Sequence, residues 1–357
     1  MLTFAAMTDP GMVERSASFG TPEFTYPLLV ADIGGTNARF GLLAEPTADM
    51  RILGAVKTDE HESFQEAFHA LPDSSAHSVS TILIALAAPV RSGPIPLTNC
   101  DWIVEPDAIL GALNARHIAC VNDFEALALA LPGLGGSAIR EIAPGTKKQG
   151  GAKIVLGPGT GLGVAGLVMT QAGWRPLPSE AGHIGFGPIG AEERRLWSEL
   201  ERENPWPTAE TLVSGPGLLR LYRAYAVIQG RDPRVSDAAG LSDAARAGDD
   251  TAEAALDLFV TLLGRFARAM ALTFIAEGGV FLAGGVTAAL ADRISGSRFR
   301  TAFRAGPVHR PFLERIPVAL VTDPFPAFAG LADLARRPES FALDLSDRSV
   351  TASGTDK

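Results

Sequence analysis

The same device opens each half of this chain, and it constrains the fold more than any other feature. Pro27-Leu28-Leu29-Val30-Ala31 reads as a buried strand, Asp32-Ile33-Gly34-Gly35-Thr36-Asn37 interrupts it, and Ala38-Arg39-Phe40-Gly41-Leu42-Leu43 resumes as a second strand. Further on, Lys153-Ile154-Val155-Leu156 is followed by the turn Gly157-Pro158-Gly159-Thr160-Gly161 and a second apolar run over 162–169. Two strands around a glycine turn make a hairpin. The Gly-Thr shared by both turns marks them as an internal pseudo-repeat. At 357 residues the chain has the length for two compact domains.

Between and after the hairpins, helices and strands follow one another. Residues 63–70 are a helix candidate, and 81–87 a strongly apolar strand ended by Pro89. Ile118-Ala119-Cys120-Val121 is a strand that delivers Asn122-Asp123 to its end. Phe124, Leu127, Ala128 and Leu131 then recur at helical spacing until Pro132-Gly133. A long helix over 252–274 carries the stripe Leu256, Phe259, Val260, Leu263, Phe266 and Met270, and strand Val280-Phe281-Leu282-Ala283 leads into Gly284-Gly285. The end of the chain, from about Pro338, is polar and reads as frayed.

Charge and cysteine content remove several function classes. Lys+Arg 31 against Asp+Glu 40 gives a formal net charge of -9, with no basic run, so nucleic acid is not an expected partner. The most apolar internal run, 81–90, is too short to span a bilayer. Cys100 and Cys120 belong to no Cys-x-x-Cys or Cys/His cluster and read as two reduced thiols. The opening stretch, with Asp9, Pro10, Glu14 and Pro22, lacks the pattern of a signal peptide and reads as a flexible extension; Met7 and Met12 are alternative starts. The expectation is a soluble, cytoplasmic protein.

Four constellations carry chemistry. Backbone N–H groups converge in glycine turns, so the two turns can grip a phosphate chain from both sides. Neither is a P-loop, for Gly157-Pro158-Gly159-Thr160-Gly161-Leu162-Gly163 lacks the Lys-Ser/Thr ending, and a strand rather than a helix follows it. Asp32, at the mouth of the first turn, could hold Mg²⁺ directly or through water, or cap the turn. Asp123, where a strand becomes a helix, fits a carboxylate that deprotonates an attacking hydroxyl, or a helix N-cap. Glu180 and His183, flanked by glycines, can point together at neighbouring sugar hydroxyls; two ligands without a third make a poor metal site. Glu210 precedes a helix start, with Gly215-Pro216 placed as cap and first residue, and could simply favour the helix dipole.

Taken in order, Asp32-Ile33-Gly34-Gly35-Thr36-Asn37-Ala38-Arg39-Phe40, Asn122-Asp123-Phe124, Gly157 to Gly163, Ser179-Glu180-Ala181-Gly182-His183, Val213-Ser214-Gly215-Pro216-Gly217-Leu218 and Ala283-Gly284-Gly285-Val286 resemble the motifs of the proteobacterial-type glucokinases, within the hexokinase–actin superfamily. The resemblance runs from about Leu28 to Leu334. It implies an α/β chain with the two-domain actin-like ATPase (ribonuclease H-like) fold and a cleft between domains. The implied division is a flexible extension at 1–26, a small domain of 27–132 plus about 325–340, a large domain of 133–324 and a flexible tail at 341–357.

It implies ATP and Mg²⁺ on one side of the cleft and glucose at its floor, with Asp123 as general base toward the sugar 6-hydroxyl. Asn122, Glu180, His183 and Glu210 would hold the other hydroxyls. Ala31, Asp32, Ile33, Gly34, Gly35 and Thr36 with Gly159, Thr160 and Gly161 would face the phosphates, and Gly284 and Gly285 the adenosine. A homodimer is also implied. Ala31 stands where the family usually has Gly, and the segments 305–310 and 324–330 depart from its pattern. A related family of sugar kinases and repressors uses the corresponding His for zinc through a cysteine cluster that this chain lacks. A kinase for another hexose and a non-catalytic sugar sensor remain the alternatives.

Overall fold

The computed structural model describes residues 23–352, except 73, 75–77 and 99. The first half runs β1 (Leu28–Ile33), β2 (Asn37–Leu43), β3 (Arg51–Lys57), α1 (Phe64–His69), β4 (Thr81–Leu86), a short ribbon of β5 (Ile95–Pro96) and β6 (Ile103–Val104), α2 (Pro106–Ala112), β7 (His117–Asn122) and α3 (Asp123–Ala130). The second runs β8 (Ile139–Ala143), β9 (Lys153–Pro158), β10 (Leu162–Thr170), β11 (Gly173–Ser179), α4 (Gly190–Glu203), α5 (Ala209–Leu212), α6 (Gly215–Ile228), α7 (Ala238–Arg246) and α8 (Asp250–Phe274). It continues with β12 (Gly279–Leu282), α9 (Gly285–Ala289), α10 (Ala291–Ile294), α11 (Ser297–Phe303), α12 (Arg310–Leu313), β13 (Val318–Val321), α13 (Pro326–Arg336) and finally β14 (Ser349–Thr351).

The pseudo-repeat extends from the hairpins to whole sheets. One sheet has the order β14-β7-β4-β1-β2-β3 and the other β13-β12-β9-β10-β11 with β8 beyond β13. In each, an antiparallel three-strand meander is joined through its first strand to two parallel strands, β4 and β7 on one side, β12 and β13 on the other. Each ends on an antiparallel edge strand, β14 or β8. Strands buried on both faces explain why β4 is buried at every residue and apolar throughout 82–86.

Helix α3 joins the two halves. Its Ala126 and Leu129 pack with Leu28 and Val30 of β1 and with Ala327, Phe328 and Leu331 of α13. Its Ala128 and Leu131 pack instead with Val155, Ala165 and Leu167 of the second sheet. At the α3–α13 contact, a Cβ added at Gly330 would overlap the carbonyl oxygen of Ala126. Gly330→Val should therefore lower stability by about 1–3 kcal/mol, the usual cost of overpacking. A thermal melt checks this; an unchanged Tm would mean the two helices can part without cost.

Three expectations need correction. The tail does not fray at Pro338: Phe341, Ala342, Leu343 and Leu345 are buried, Ala342 donates to the Trp174 carbonyl beside β11, and β14 pairs with β7. Its partners lie far back in the chain, so local polarity misled. At the other end, Met1 through Pro22, with the alternative starts at Met7 and Met12, lie outside the described residues, as do 353–357. Residues 23–26, assigned to the flexible extension, already dock: the Thr25 N–H donates to Thr81 Oγ1 (3.1 Å) and the Phe24 ring meets that of His117 at 5.9 Å. Last, α6 is capped by Ser214, whose hydroxyl accepts from the Gly217 N–H (3.0 Å), leaving Gly215 and Pro216 inside the helix. Serine caps better than glycine.

Candidate active site

A cavity of about 440 Å³ lies where the two halves face each other, lined from both sides by the motif residues. From the first half come Gly34 and Gly35, the 87–90 segment that follows β4, and Asn122-Asp123 where β7 meets α3. From the second come Gly159, Thr160, Gly161, Glu180, His183 and Glu210.

The strand–helix junction sets Asp123. Asn122, not Asp123, is the N-cap: its Oδ1 accepts from the Phe124 N–H (3.0 Å) and the Glu125 N–H (3.3 Å), and Glu125 answers by accepting the Asn122 N–H (3.2 Å). That reciprocal pair is a capping box. Asn122 also donates through Nδ2 to the Ala88 carbonyl (3.3 Å), tying the junction to the exit of β4. Asp123 is the first helical residue and accepts from the Phe124 N–H (2.9 Å). Burial pushes its carboxyl up to about 7, and the neighbouring Asp32 charge adds to the rise. Such a group is poised near neutral pH, where a general base works best.

Asp32 leaves β1 beside Arg39 of β2, with Nη1 and Oδ2 3.1 Å apart. Burial raises its carboxyl above the ordinary range, and the Arg39 guanidinium opposes that rise. Ala31 and Ile33 are not on the cavity wall. Their side chains are fully buried, and β1 pairs with β2 on one side and β4 on the other. Thr36 stands exposed at the turn but outside the cavity wall.

The second wall is built around Glu210. It lies ahead of α6, as expected, and in the first turn of the short helix α5, itself capped by Thr208. Its Oε2 accepts from the Leu162 N–H (2.8 Å), and its Oε1 lies 3.9 Å from His183 Nδ1. The other imidazole nitrogen is 3.9 Å from Glu180 Oε2, so His183 stands between two carboxylates. A Cβ at Gly161 would meet Glu210 Oε2 at 2.5 Å, so a side chain there would push the carboxylate away from the turn. One carboxylate thus touches both the glycine turn and the histidine. At the turn, the Gly159 N–H donates to the Gly161 carbonyl and the Gly215 N–H to the Gly159 carbonyl, each at 2.8 Å. Gly284 and Gly285 do not line the cavity; they begin where β12 ends, and Gly284, at a φ of 93°, lies against Pro158.

Sequence reasoning missed Phe124, Glu125 and Arg348, all on the cavity wall. An Asn followed three positions later by Glu was a visible capping signal; nothing local pointed to Arg348.

Two facing sheets of matched topology, glycine turns entering one cleft from both halves and a carboxylate poised near neutrality at its floor define a sugar kinase with the two-domain actin-like ATPase fold. A family model described as Glucokinase matches residues 29–338, and the chain belongs to that family. Glucokinase of Agrobacterium fabrum (strain C58 / ATCC 33970) is 40% identical over 331 residues, covering 92% of this chain and 97% of that protein. Glucokinase of Rhizobium etli (strain CIAT 652) is 38% identical over 330 residues, with the same two coverages. Among solved structures, glucokinase from an Antarctic psychrotroph superimposes with a TM-score of 0.77 at 32% identity, covering 88% of this chain and all of that one.

Proposed function

We propose that this glucokinase-family enzyme phosphorylates D-glucose with ATP at the 6-hydroxyl, using Asp123 as general base. The observation that carries this reading is the Asp123 carboxyl, held at the cleft floor and raised to about 7, between the glycine turns and the Glu180–His183–Glu210 cluster. As the sugar O6 attacks the γ-phosphorus, Asp123 takes the hydroxyl proton; the bond to the bridging oxygen breaks and ADP leaves. The protein's part is positioning and charge stabilisation. Glu210, anchored on the Leu162 N–H, has Oε1 turned toward His183, and these two with Glu180 bind the remaining hydroxyls. Asn122, also on the cavity wall, joins them at the sugar hydroxyls, and its side chain serves besides as cap and tether beside Asp123.

The donor set suits Mg²⁺ arriving with the nucleotide. Asp32 is a single carboxylate near the turns, and among the described residues no group of three or more His, Cys, Asp or Glu could hold a metal by itself. Mg²⁺ characteristically takes one or two carboxylates plus substrate phosphates and keeps several waters. Asp32 would hold it, directly or through water, and the ion would offset phosphate charge in a cleft already rich in carboxylates. The Gly34-Gly35-Thr36 and Gly159-Thr160-Gly161 turns then face the phosphates, and Gly284-Gly285 the adenosine. No helix among the described residues is long and apolar enough to cross a membrane; the reading places the enzyme in the cytoplasm, as a homodimer.

The test is a coupled ADP-release assay with Mg²⁺-ATP across a hexose panel. Glucose-dependent release is expected; release with another hexose alone would correct the substrate, and glucose binding without release would replace the enzyme by a sensor. Within the pocket, Glu180→Ala and His183→Ala should each raise the glucose KM about tenfold with a smaller change in kcat, because sugar hydroxyls lose hydrogen-bond partners. Steady-state kinetics decide it, and unchanged KM in both variants would remove the pair from the sugar site.

A further inference from the structure

Glu125 carries a charge that the reading above leaves unused. Its side chain is only 2% exposed, deeper than any other carboxylate in a described ion pair. Two groups reach it. The Asn122 N–H donates to Oε2 (3.2 Å), closing the capping box of α3, and Arg348 Nη1 lies 3.0 Å from Oε1 and 2.8 Å from Oε2. Arg348 comes from the C-terminal segment, just before β14. Its carbonyl accepts from the Cys120 N–H (2.9 Å), which clamps it beside the strand that ends in Asn122. Arg348 and Asp123 both line the cleft.

Two further facts single this pair out. The family model ends at residue 338, so the segment that supplies Arg348 lies beyond the matched region. In the pseudo-symmetric arrangement of the sheets, β14 takes the edge place that β8 takes in the other half. The segment is therefore a structural part of the first sheet, and it delivers one cation to one buried carboxylate.

We propose that Arg348 is a positioning residue for phosphoryl transfer: it neutralises Glu125, and so keeps the Asn122–Glu125 cap closed and the Asp123 carboxylate aimed at the cleft floor. The proposal rests on the reading of Asp123 as the base. Arg348 acts through Glu125 and needs no contact with sugar or nucleotide. A buried carboxylate that loses its cation must protonate, draw in water or turn outward, and each of these disturbs the N–H it accepts from Asn122. The residue next in line is Asp123.

The experiment compares kcat and glucose KM for the full chain, Arg348→Met, the double variant Arg348→Met/Glu125→Gln, and Asp123→Ala, with folding followed by circular dichroism. Arg348→Met should lower kcat about tenfold, since small misplacements of a reacting group are costly, with glucose KM within about threefold of the parent. The double variant should recover most of that kcat, because Gln at position 125 can still close the cap and leaves no buried charge. An unchanged kcat in folded Arg348→Met would overturn the proposal. So would a double variant as slow as the single one, which would give Arg348 a packing or substrate-contact role instead. Should Arg348→Met not fold, the double variant alone decides: kcat within about threefold of the parent is expected, and a loss of about tenfold or more overturns it. Turnover surviving in Asp123→Ala would overturn the base assignment itself, a failure distinguishable from that of Arg348.

Discussion

Asp123→Ala is expected to lower kcat by about 10²–10⁴-fold, the range that a positioned general base contributes. Glucose affinity should change little, because the hydroxyl contacts assigned to Glu180, His183 and Glu210 come from the other half of the chain. The fold should also persist: the α3 cap belongs to Asn122 and Glu125, and Asp123 contributes only an acceptor to the Phe124 N–H. Steady-state kinetics with a glucose-binding titration separate these effects. A variant that turns over within a few-fold of the parent would require a different base, and one that has lost sugar binding as well would make Asp123 a ligand before a base.

The second large effect is on pH. Because burial and Asp32 raise the Asp123 carboxyl to about 7, the base is progressively protonated below neutrality. Log kcat/KM should approach unit slope below that value, with a fall of about 50-fold between pH 7 and pH 5. An acid limb near pH 4 would mean an ordinary, solvated carboxylate. The same shift has a stability signature. The folded-state value lies above the 3.8 of an unperturbed aspartate, so the native state holds this proton more tightly than the unfolded chain. That contribution is complete below about pH 4 and lost as pH rises through about 7. Asp123→Asn, which cannot ionise, should therefore melt higher than the parent at pH 8, with the difference shrinking toward pH 5. Equal melting temperatures at both pH values would contradict the raised carboxyl. The trade is familiar: active sites give up stability to keep a charged group where chemistry needs it.

What could be read from the residues alone follows the range of the forces involved. The two hairpins were legible because an apolar run, a glycine turn and a second run are all local, and the structure places β1–β2 and β9–β10 within a residue or two of that reading. The 250–274 helix was legible from its stripe for the same reason. The position of Asp123 at a strand–helix junction was legible too, though not its division of labour with Asn122, since either residue type can cap. Pairings between distant segments left no local trace. Nothing near Arg348 points to Glu125, and the polar stretch around Phe341 and Leu343 reads as a tail until Trp174 and β7 are placed beside it. The contact of Glu210 with the Gly161 turn belongs to the same kind, because its two partners are brought together by the fold of the second half.

The central claim is transfer of a phosphoryl group to the glucose 6-hydroxyl. It is tested most directly by incubating the full chain with Mg²⁺-ATP and either glucose or 6-deoxyglucose, following products by phosphorus NMR. Glucose 6-phosphate and ADP are expected in equal amounts from glucose, and no phosphorylated sugar from the deoxy analogue although it binds. A phosphate on any other oxygen, or no sugar phosphate from protein shown to bind glucose, would contradict it.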